Sequence, residues 1–257
     1  MRTRITRWRA GPAAGLLLTA CLGPLGCLDA TTLEPPTLGD ADLRILFIGN
    51  SLTYSNDLPG AVATIAGALG RHVAVASVAR PNFALEDHWY TGIGSVIDEL
   101  RPDVVIMQQG PSSLESSRLH LIAWSDTLSR RVRAAGGEPM LLMVWPSVSR
   151  IDVFDDVRDS YQAAAQAVDG LFIPAGEGLR ALYDQTSLPP FGGDGFHPSP
   201  YGTLVAGYVV VGSLLGVPVR GLPARLEAAN GGRPVSVDTE VADQLQAIAD
   251  SVVSAWR

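Results

Sequence analysis

Beyond residue 27 the sequence has no cysteine, since Cys21 and Cys27 are the only two among 257 residues. The folded part therefore cannot depend on disulfides, and no thiolate nucleophile or thiol redox pair is available to it. Charge is also sparse, at 18% of residues, whereas hydrophobic residues make up 47% and no long polar tract occurs. That balance excludes extended disorder away from the ends and suits one large α/β domain with a sizeable core. A net charge of −7 argues against nucleic acid and acidic lipid as main partners, because neither attracts an acidic surface. Neutral and cationic substrates stay open. No grouping of His, Cys and carboxylates has metal-site spacing, and nothing indicates a nucleotide cofactor, so no cofactor is expected.

The first thirty residues differ in kind from the rest. Arg2, Arg4, Arg7 and Arg9 form a basic stretch, followed by a short apolar core from Gly11 to Leu22. This is too short for a permanent membrane span and has the build of a secretory signal, so export to the cell envelope is expected. Leu18-Thr19-Ala20-Cys21 resembles a bacterial lipobox, making Cys21 the candidate lipidation site and a lipid anchor the expected membrane contact. Cys27 is a second candidate, weakened by Pro24 at a position where an aliphatic residue belongs. A cleaved signal with incidental cysteines, or with one Cys21–Cys27 disulfide, is the plainer alternative. Residues 28–42 read as a flexible tether.

From Leu43 onward, strand-length apolar runs alternate with segments of helical period. Strands are predicted at Leu43–Ile48, His72–Val78, Asp103–Met107, Met140–Val144 and Leu171–Ile173. Between them, Leu58, Val62, Ile65 and Leu69 recur at helical spacing behind an Asp57 cap and Pro59. Further helices are expected at Ile93–Leu100, around Leu121 to Val132 with a Gly136-Gly137 stop, around Val157 to Val168, and at Tyr201–Leu215. The rhythm implies a doubly wound, three-layer α/β/α domain on a mostly parallel five-stranded sheet, spanning residues 43–220. Residues 221–257 form an extension with one helix, Val241–Ala255. In such sheets ligands bind beyond the carboxyl ends of the strands, so functional residues should cluster in the loops there.

Two of those loops carry chemistry. The first strand runs directly into Gly49-Asn50-Ser51, which puts a serine hydroxyl at a strand-to-helix turn, where the helix start favours developing negative charge. Late in the chain, Asp194-Gly195-Phe196-His197-Pro198 places a carboxylate and an imidazole three residues apart, between bend-permitting glycines and a stiffening proline. A serine nucleophile needs a base, and the base needs an acceptor that fixes its tautomer. Taken singly, the first motif also fits a phosphate-holding loop, and the second fits a solvated loop with an incidental histidine.

Together, Gly49-Asn50-Ser51 and Asp194-x-x-His197 resemble the SGNH hydrolases, also called GDSL-like lipases and esterases, over about Leu43 to Pro218. The resemblance implies a flavodoxin-like fold and a serine esterase in which Ser51 is nucleophile, His197 base and Asp194 its partner. It also implies an oxyanion hole built from the Ser51 amide, a second-block glycine amide and a third-block asparagine side chain. This chain departs at the last two. Asn82, in Arg80-Pro81-Asn82-Phe83, stands near the glycine position and tolerates a left-handed backbone. The third block reads Met107-Gln108-Gln109-Gly110-Pro111-Ser112, with serine where asparagine belongs. A branch of the family ends this strand with glutamine, whose amide can donate in the same way. Gln108 is the first choice, with Gln109 and Ser112 as alternatives.

Other residues are weaker candidates. His88 is read as a hydrogen-bonded structural histidine, with a supporting role open. His72 and His120 are expected to be bland, Glu177 could shape the site, and Trp145-Pro146 could line a pocket. Two other functions compete with a carboxylic ester hydrolase of carbohydrate acetyl or short acyl esters. One is a flavodoxin-like anion-binding module, which leaves Asp194 and His197 without a task. The other is a catalytically silent glycan-binding lipoprotein, which the complete Ser/Asp/His set disfavours.

Overall fold

The computed structural model of the protein describes residues 36–256. The signal and lipobox region 1–27, including Cys21 and Cys27, and most of the tether lie outside the described residues. Five strands, β1 (Leu43–Gly49), β2 (Val73–Ala79), β3 (Val104–Met107), β4 (Glu138–Leu142) and β5 (Leu171–Ile173), form one sheet in the order β2-β1-β3-β4-β5. Every pairing in it is parallel. The strand order reverses at β1, which sends its chain outward to β2 before the next strand pairs on the other side. Such a reversal opens a crevice at the carboxyl ends of β1 and β3.

Helices α1 (Ser51–Tyr54), α2 (Leu58–Ala68), α3 (Leu85–Tyr90), α4 (Ile93–Leu100), α5 (Glu115–Ala134), α6 (Phe154–Ala167), α7 (Ala175–Gln185), α8 (Pro200–Leu215) and α9 (Thr239–Ala255) cover the sheet. They fall into two packed groups, α3 to α6 in one and α1, α2, α7, α8 and α9 in the other. Because both faces are covered, strand residues such as Ile45 to Ile48 and Val105 to Met107 are almost wholly buried. The α8 helix is apolar all round for the same reason, buried from Gly202 to Gly212. No helix among the described residues is long and apolar enough to cross a membrane.

Local chemistry accounts for the predicted ends. Asp57 caps α2 by accepting from the Gly60 N–H, with Pro59 in the first turn. Ser199 caps α8 in the same way from Gly202, and Gly216 ends it in a left-handed conformation. The structure adds α3, α7, a 3-10 segment Val148–Val153 and a two-residue hairpin, Arg225–Leu226 with Val235–Ser236, all in stretches that periodicity leaves as loop. It also starts β4 at Glu138, two residues before the predicted strand.

The extension is built into the domain. Helix α9 packs on α7 and α8, and Asp250 accepts from the Val219 and Arg220 amides at 2.8 and 3.1 Å. Gln246 bridges the Gly221 amide and the Leu222 carbonyl, each at 2.9 Å. Part of the expected tether is likewise engaged: Leu38 packs against the core and the Asp42 amide donates to the His72 carbonyl.

Candidate active site

The loop after β1 turns sharply because of what sits beneath it. A Cβ on Gly49 would collide with Thr53 Oγ1 and Gln108 Nε2, so only glycine lets the strand end this close to β3. Asn50 then caps the single-turn helix α1, its Oδ1 accepting from the Leu52 N–H at 3.1 Å while its Nδ2 donates to the Phe83 carbonyl at 3.2 Å. Ser51 is thereby held at the rim of the sheet. The helix at Ser51 lasts only to Tyr54, and the long helix of this unit begins at Leu58 after Asn56 and Asp57, both left-handed.

The loop before α8 reaches the same rim. His197 Nε2 lies 2.9 Å from Ser51 Oγ, and His197 Nδ1 lies 2.5 Å from Asp194 Oδ2. Asp194 Oδ1 also accepts from the Phe196 and His197 amides, both at 3.0 Å. The His197 side-chain hydrogen bond, with the Phe196 amide second, holds the Asp194 carboxyl down to about 2 from its ordinary 3.8. An ionised carboxylate only accepts, so Nδ1 carries a proton. In the neutral ring this leaves Nε2 as an acceptor for the Ser51 hydroxyl.

Several ties fix this loop. Gly192 N–H donates to the His197 carbonyl at 2.8 Å, Phe191 and Pro198 form an antiparallel bridge, and Gly195 takes φ +66° at the bend. From the end of β4, buried Trp145 donates Nε1–H to the Phe196 carbonyl at 2.9 Å, and the Val148 N–H donates to the Gly195 carbonyl at 2.9 Å. Trp145 therefore acts on the histidine loop. Only its neighbour Pro146 lines a cavity.

A cavity of about 430 Å3 opens beside Ser51, lined by Asn50, Asn82 and Phe83 on one side and Gln109, Gly110 and Ser112 on the other. Asn82 has φ +60°, the left-handed conformation its sequence position suggested. Among the described residues, neither the Ser51 N–H nor the Asn82 N–H has a hydrogen-bond acceptor.

The two consecutive glutamines point to opposite sides, and the structure reverses the order of preference between them. Gln108 is 1% exposed and does not line the cavity. Both of its amide hydrogens are engaged, with Asn50 Oδ1 at 2.9 Å and Thr53 Oγ1 at 2.8 Å. Gln108 has no donor left for an oxyanion, and its role is to brace the turn from below. Gln109 faces the cavity, donating one Nε2 hydrogen to Ser112 Oγ at 3.1 Å and leaving the other without an acceptor among the described residues. Tyr161 of α6 clamps its backbone from both sides, accepting from the Gln109 N–H at 3.0 Å and donating to its carbonyl at 2.6 Å. Burial raises the Tyr161 phenol well above its usual range, which keeps it a donor. Nothing in the helical pattern around Val157 to Val168 singles out Tyr161 as a site residue.

His88 is fully buried below the turn, where its Nε2–H donates to the Gly49 carbonyl at 2.8 Å. Its Nδ1 has no partner, and desolvation lowers its pKa, so the ring is held neutral. Glu177 lies away from Ser51, paired with Arg180 at 2.6 Å, and burial pushes its carboxyl up. No group of three or more His, Cys, Asp or Glu side chains suited to a metal occurs among the described residues.

No family model matches the chain, and no curated protein does. Solved structures do. A protein from Slackia heliotrinireducens described as an SGNH hydrolase is 26% identical, with a TM-score of 0.57 over 68% of this chain and 100% of that one. A DUF4886 family protein from Bacteroides uniformis superposes with a TM-score of 0.70 at 15% identity, over 84% of this chain and 96% of that one. A variant of an acetyl-xylooligosaccharide esterase from Geobacillus gives a TM-score of 0.52 at 16% identity, over 69% and 94%. With its parallel sheet in this strand order and these neighbours, the chain belongs to the SGNH hydrolase superfamily.

Proposed function

We propose that the protein is a serine hydrolase that cleaves carboxylic esters through an acyl-enzyme. The observation that carries this reading is the unbroken chain from Ser51 Oγ through His197 to Asp194, opening on a cavity flanked by two unpaired backbone N–H groups. Esterases among its structural neighbours agree with it. In the first step the Ser51 proton passes to His197 Nε2 as Oγ bonds to the ester carbonyl carbon, and the carbonyl π pair moves onto oxygen. Imidazolium forms next to ionised Asp194, which stabilises it. The N–H groups of Ser51 and Asn82, with the free Nε2 hydrogen of Gln109, receive the oxyanion. When that electron pair returns, the bond to the alcohol oxygen breaks and His197 delivers its proton to the departing alkoxide. Water then repeats the sequence: its proton goes to His197, its oxygen bonds to the acyl carbon, and Ser51 leaves with the proton restored.

The reading includes export and an envelope lipid anchor at Cys21, resting on the N-terminal sequence alone. It requires that a fluorophosphonate probe label the wild-type protein and not Ser51→Ala, and that short p-nitrophenyl esters be hydrolysed by the former only. Equal turnover by Ser51→Ala would sink the assignment. Inertness toward probe and esters alike, with retained binding of glycans, would favour the silent lipoprotein.

A further inference from the structure

A second cavity, of about 270 Å3, shares Pro111, Phe196 and Arg150 with the walls of the one beside Ser51. Arg150 is the single charged side chain among the residues of either wall. Some arginines of this acidic molecule pair with carboxylates, Arg130 with Asp126, Arg131 with Asp98, and Arg158 and Arg180 with Asp155, while others, such as Arg71 and Arg118, have no carboxylate partner among the described residues. Arg150 forms no ion pair among the described residues, and its one side-chain bond is Nη2–H to Ser113 Oγ at 3.1 Å. An arginine fork carries five N–H donors, and most of those of Arg150 have no protein acceptor among the described residues. The 3-10 segment bearing it is tied to the histidine loop through the Val148 N–H and the Gly195 carbonyl. At Arg150 that segment leaves helical geometry, with φ −131° and ψ 30°.

We infer that Arg150 selects esters bearing an anionic group, a carboxylate or its like, which it holds at the junction of the two cavities while the ester carbonyl sits at Ser51. The rest of the second wall, Pro146, Val153 and Phe196 with the hydroxyls of Ser113 and Ser147, suits a short, partly apolar body between ester and anion. The placement of the ester rests on the proposed serine-hydrolase reading.

Matched probes test this. On the acyl side, the mono-p-nitrophenyl esters of succinic, glutaric and adipic acid are compared with p-nitrophenyl butyrate, valerate and hexanoate. On the alcohol side, 4-acetoxybenzoate is compared with its methyl ester. Wild-type protein should favour the anionic member of at least one pair through KM, and the preference should weaken as salt is raised. Arg150→Gln should raise that KM roughly fivefold, the scale of a solvent-exposed ion pair, and leave the neutral partner and kcat unchanged. Arg150→Lys should recover part of the loss. Arg220→Gln, which removes the same charge from an exposed site remote from the cleft, should change nothing. Absence of any anionic preference, or equal losses on anionic and neutral esters in Arg150→Gln, overturns the inference. Binding is read without turnover by calorimetry, titrating the preferred anionic ester into Ser51→Ala and into Ser51→Ala/Arg150→Gln. About fivefold weaker binding in the double variant supports the anion role even if the hydrolase reading fails, and equal affinity overturns it. Loss of fluorophosphonate labelling as the failing result would instead strike the hydrolase reading.

Discussion

The side-chain amide of Gln108 donates at 2.9 Å to Asn50 Oδ1, the same oxygen that caps the helix starting at Ser51. The residue before Ser51 is thus held from below by the strand next door. With Thr53 Oγ1 as its second acceptor, Gln108 ties β3 to both ends of the turn, and Gly49 leaves the room for it. Gln109, one residue on, faces the opposite side and meets the cavity.

This difference separates two variants. Gln109→Ala removes a cavity-facing donor and should lower kcat by on the order of a hundredfold with little change in melting temperature. Gln108→Ala strips two buried hydrogen bonds and should cost about 2 kcal/mol of stability, with the smaller effect on kcat. Steady-state kinetics beside thermal or urea denaturation gives both readings. A larger kcat loss in Gln108→Ala would return the oxyanion role to that residue.

Asn82 is assigned its part through its backbone, so side chains should be judged by whether they permit φ +60°. Asn82→Gly is expected to keep kcat within about threefold, since glycine takes this conformation freely. Asn82→Val must adopt it at a cost of about 1–2 kcal/mol or turn the amide away, and should lose activity strongly. Similar losses in both variants would mean that the asparagine side chain, not the amide, does the work.

The sheet, its five strands and the two loops that meet at Ser51 and His197 were legible in the sequence because each rests on a local pattern: aliphatic runs, Asp57 as a cap, Gly49 and Gly136 at turns. The oxyanion side was legible only in part. Strand alternation separates Gln108 from Gln109, but which one meets the cavity depends on what lies on each face of β3. That is set by Thr53 and Asn50 on one side and by Tyr161, 52 residues away, on the other. Trp145 holding the Phe196 carbonyl is a contact across 51 residues of chain and has no local signature. Helices α3 and α7 were missed for a different reason, since each is short or glycine-interrupted and its apolar period covers too few turns to stand out.

Asp194→Asn probes the tautomer. The carboxylate fixes the proton on His197 Nδ1, whereas an amide can donate there and move that proton to Nε2, which could then no longer accept from Ser51. A kcat loss of about 10^3 to 10^4 is expected. In the wild type the Asp194 carboxyl is held down to about 2, so its contribution to stability is present above its unfolded value near 3.8 and is lost as pH falls toward 2. Above pH 4 its charge is constant. An acid limb in log kcat/KM centred above pH 4 must then report another group, whereas a limb from Asp194 itself falls near 2.

His88 makes stability depend on pH in a predictable direction. Burial lowers its folded pKa below 6.5, so the unfolded chain binds the proton first. The stability held by the neutral, hydrogen-bonded ring is complete above about 6.5 and declines as pH falls from there toward the folded value. Other groups facing the ring set this balance: Arg80 lowers its pKa, while Asp87 and the Gly49 carbonyl raise it. His88→Gln can keep an N–H directed at Gly49 without titrating, so its melting temperature should fall less than that of the wild type between pH 7.5 and 5. Glu177, pushed up by burial, contributes in the opposite sense, its stabilisation fading as pH rises above about 4.5, but it does so equally in both proteins and cancels in the difference. His88→Ala leaves the Gly49 carbonyl with only the Arg80 amide, at 3.1 Å, and should lower both stability and kcat, with His88→Gln restoring part of the latter. Parallel melting curves for wild type and His88→Gln across that pH range would show that His88 does not titrate on unfolding and would remove it as the source of acid sensitivity.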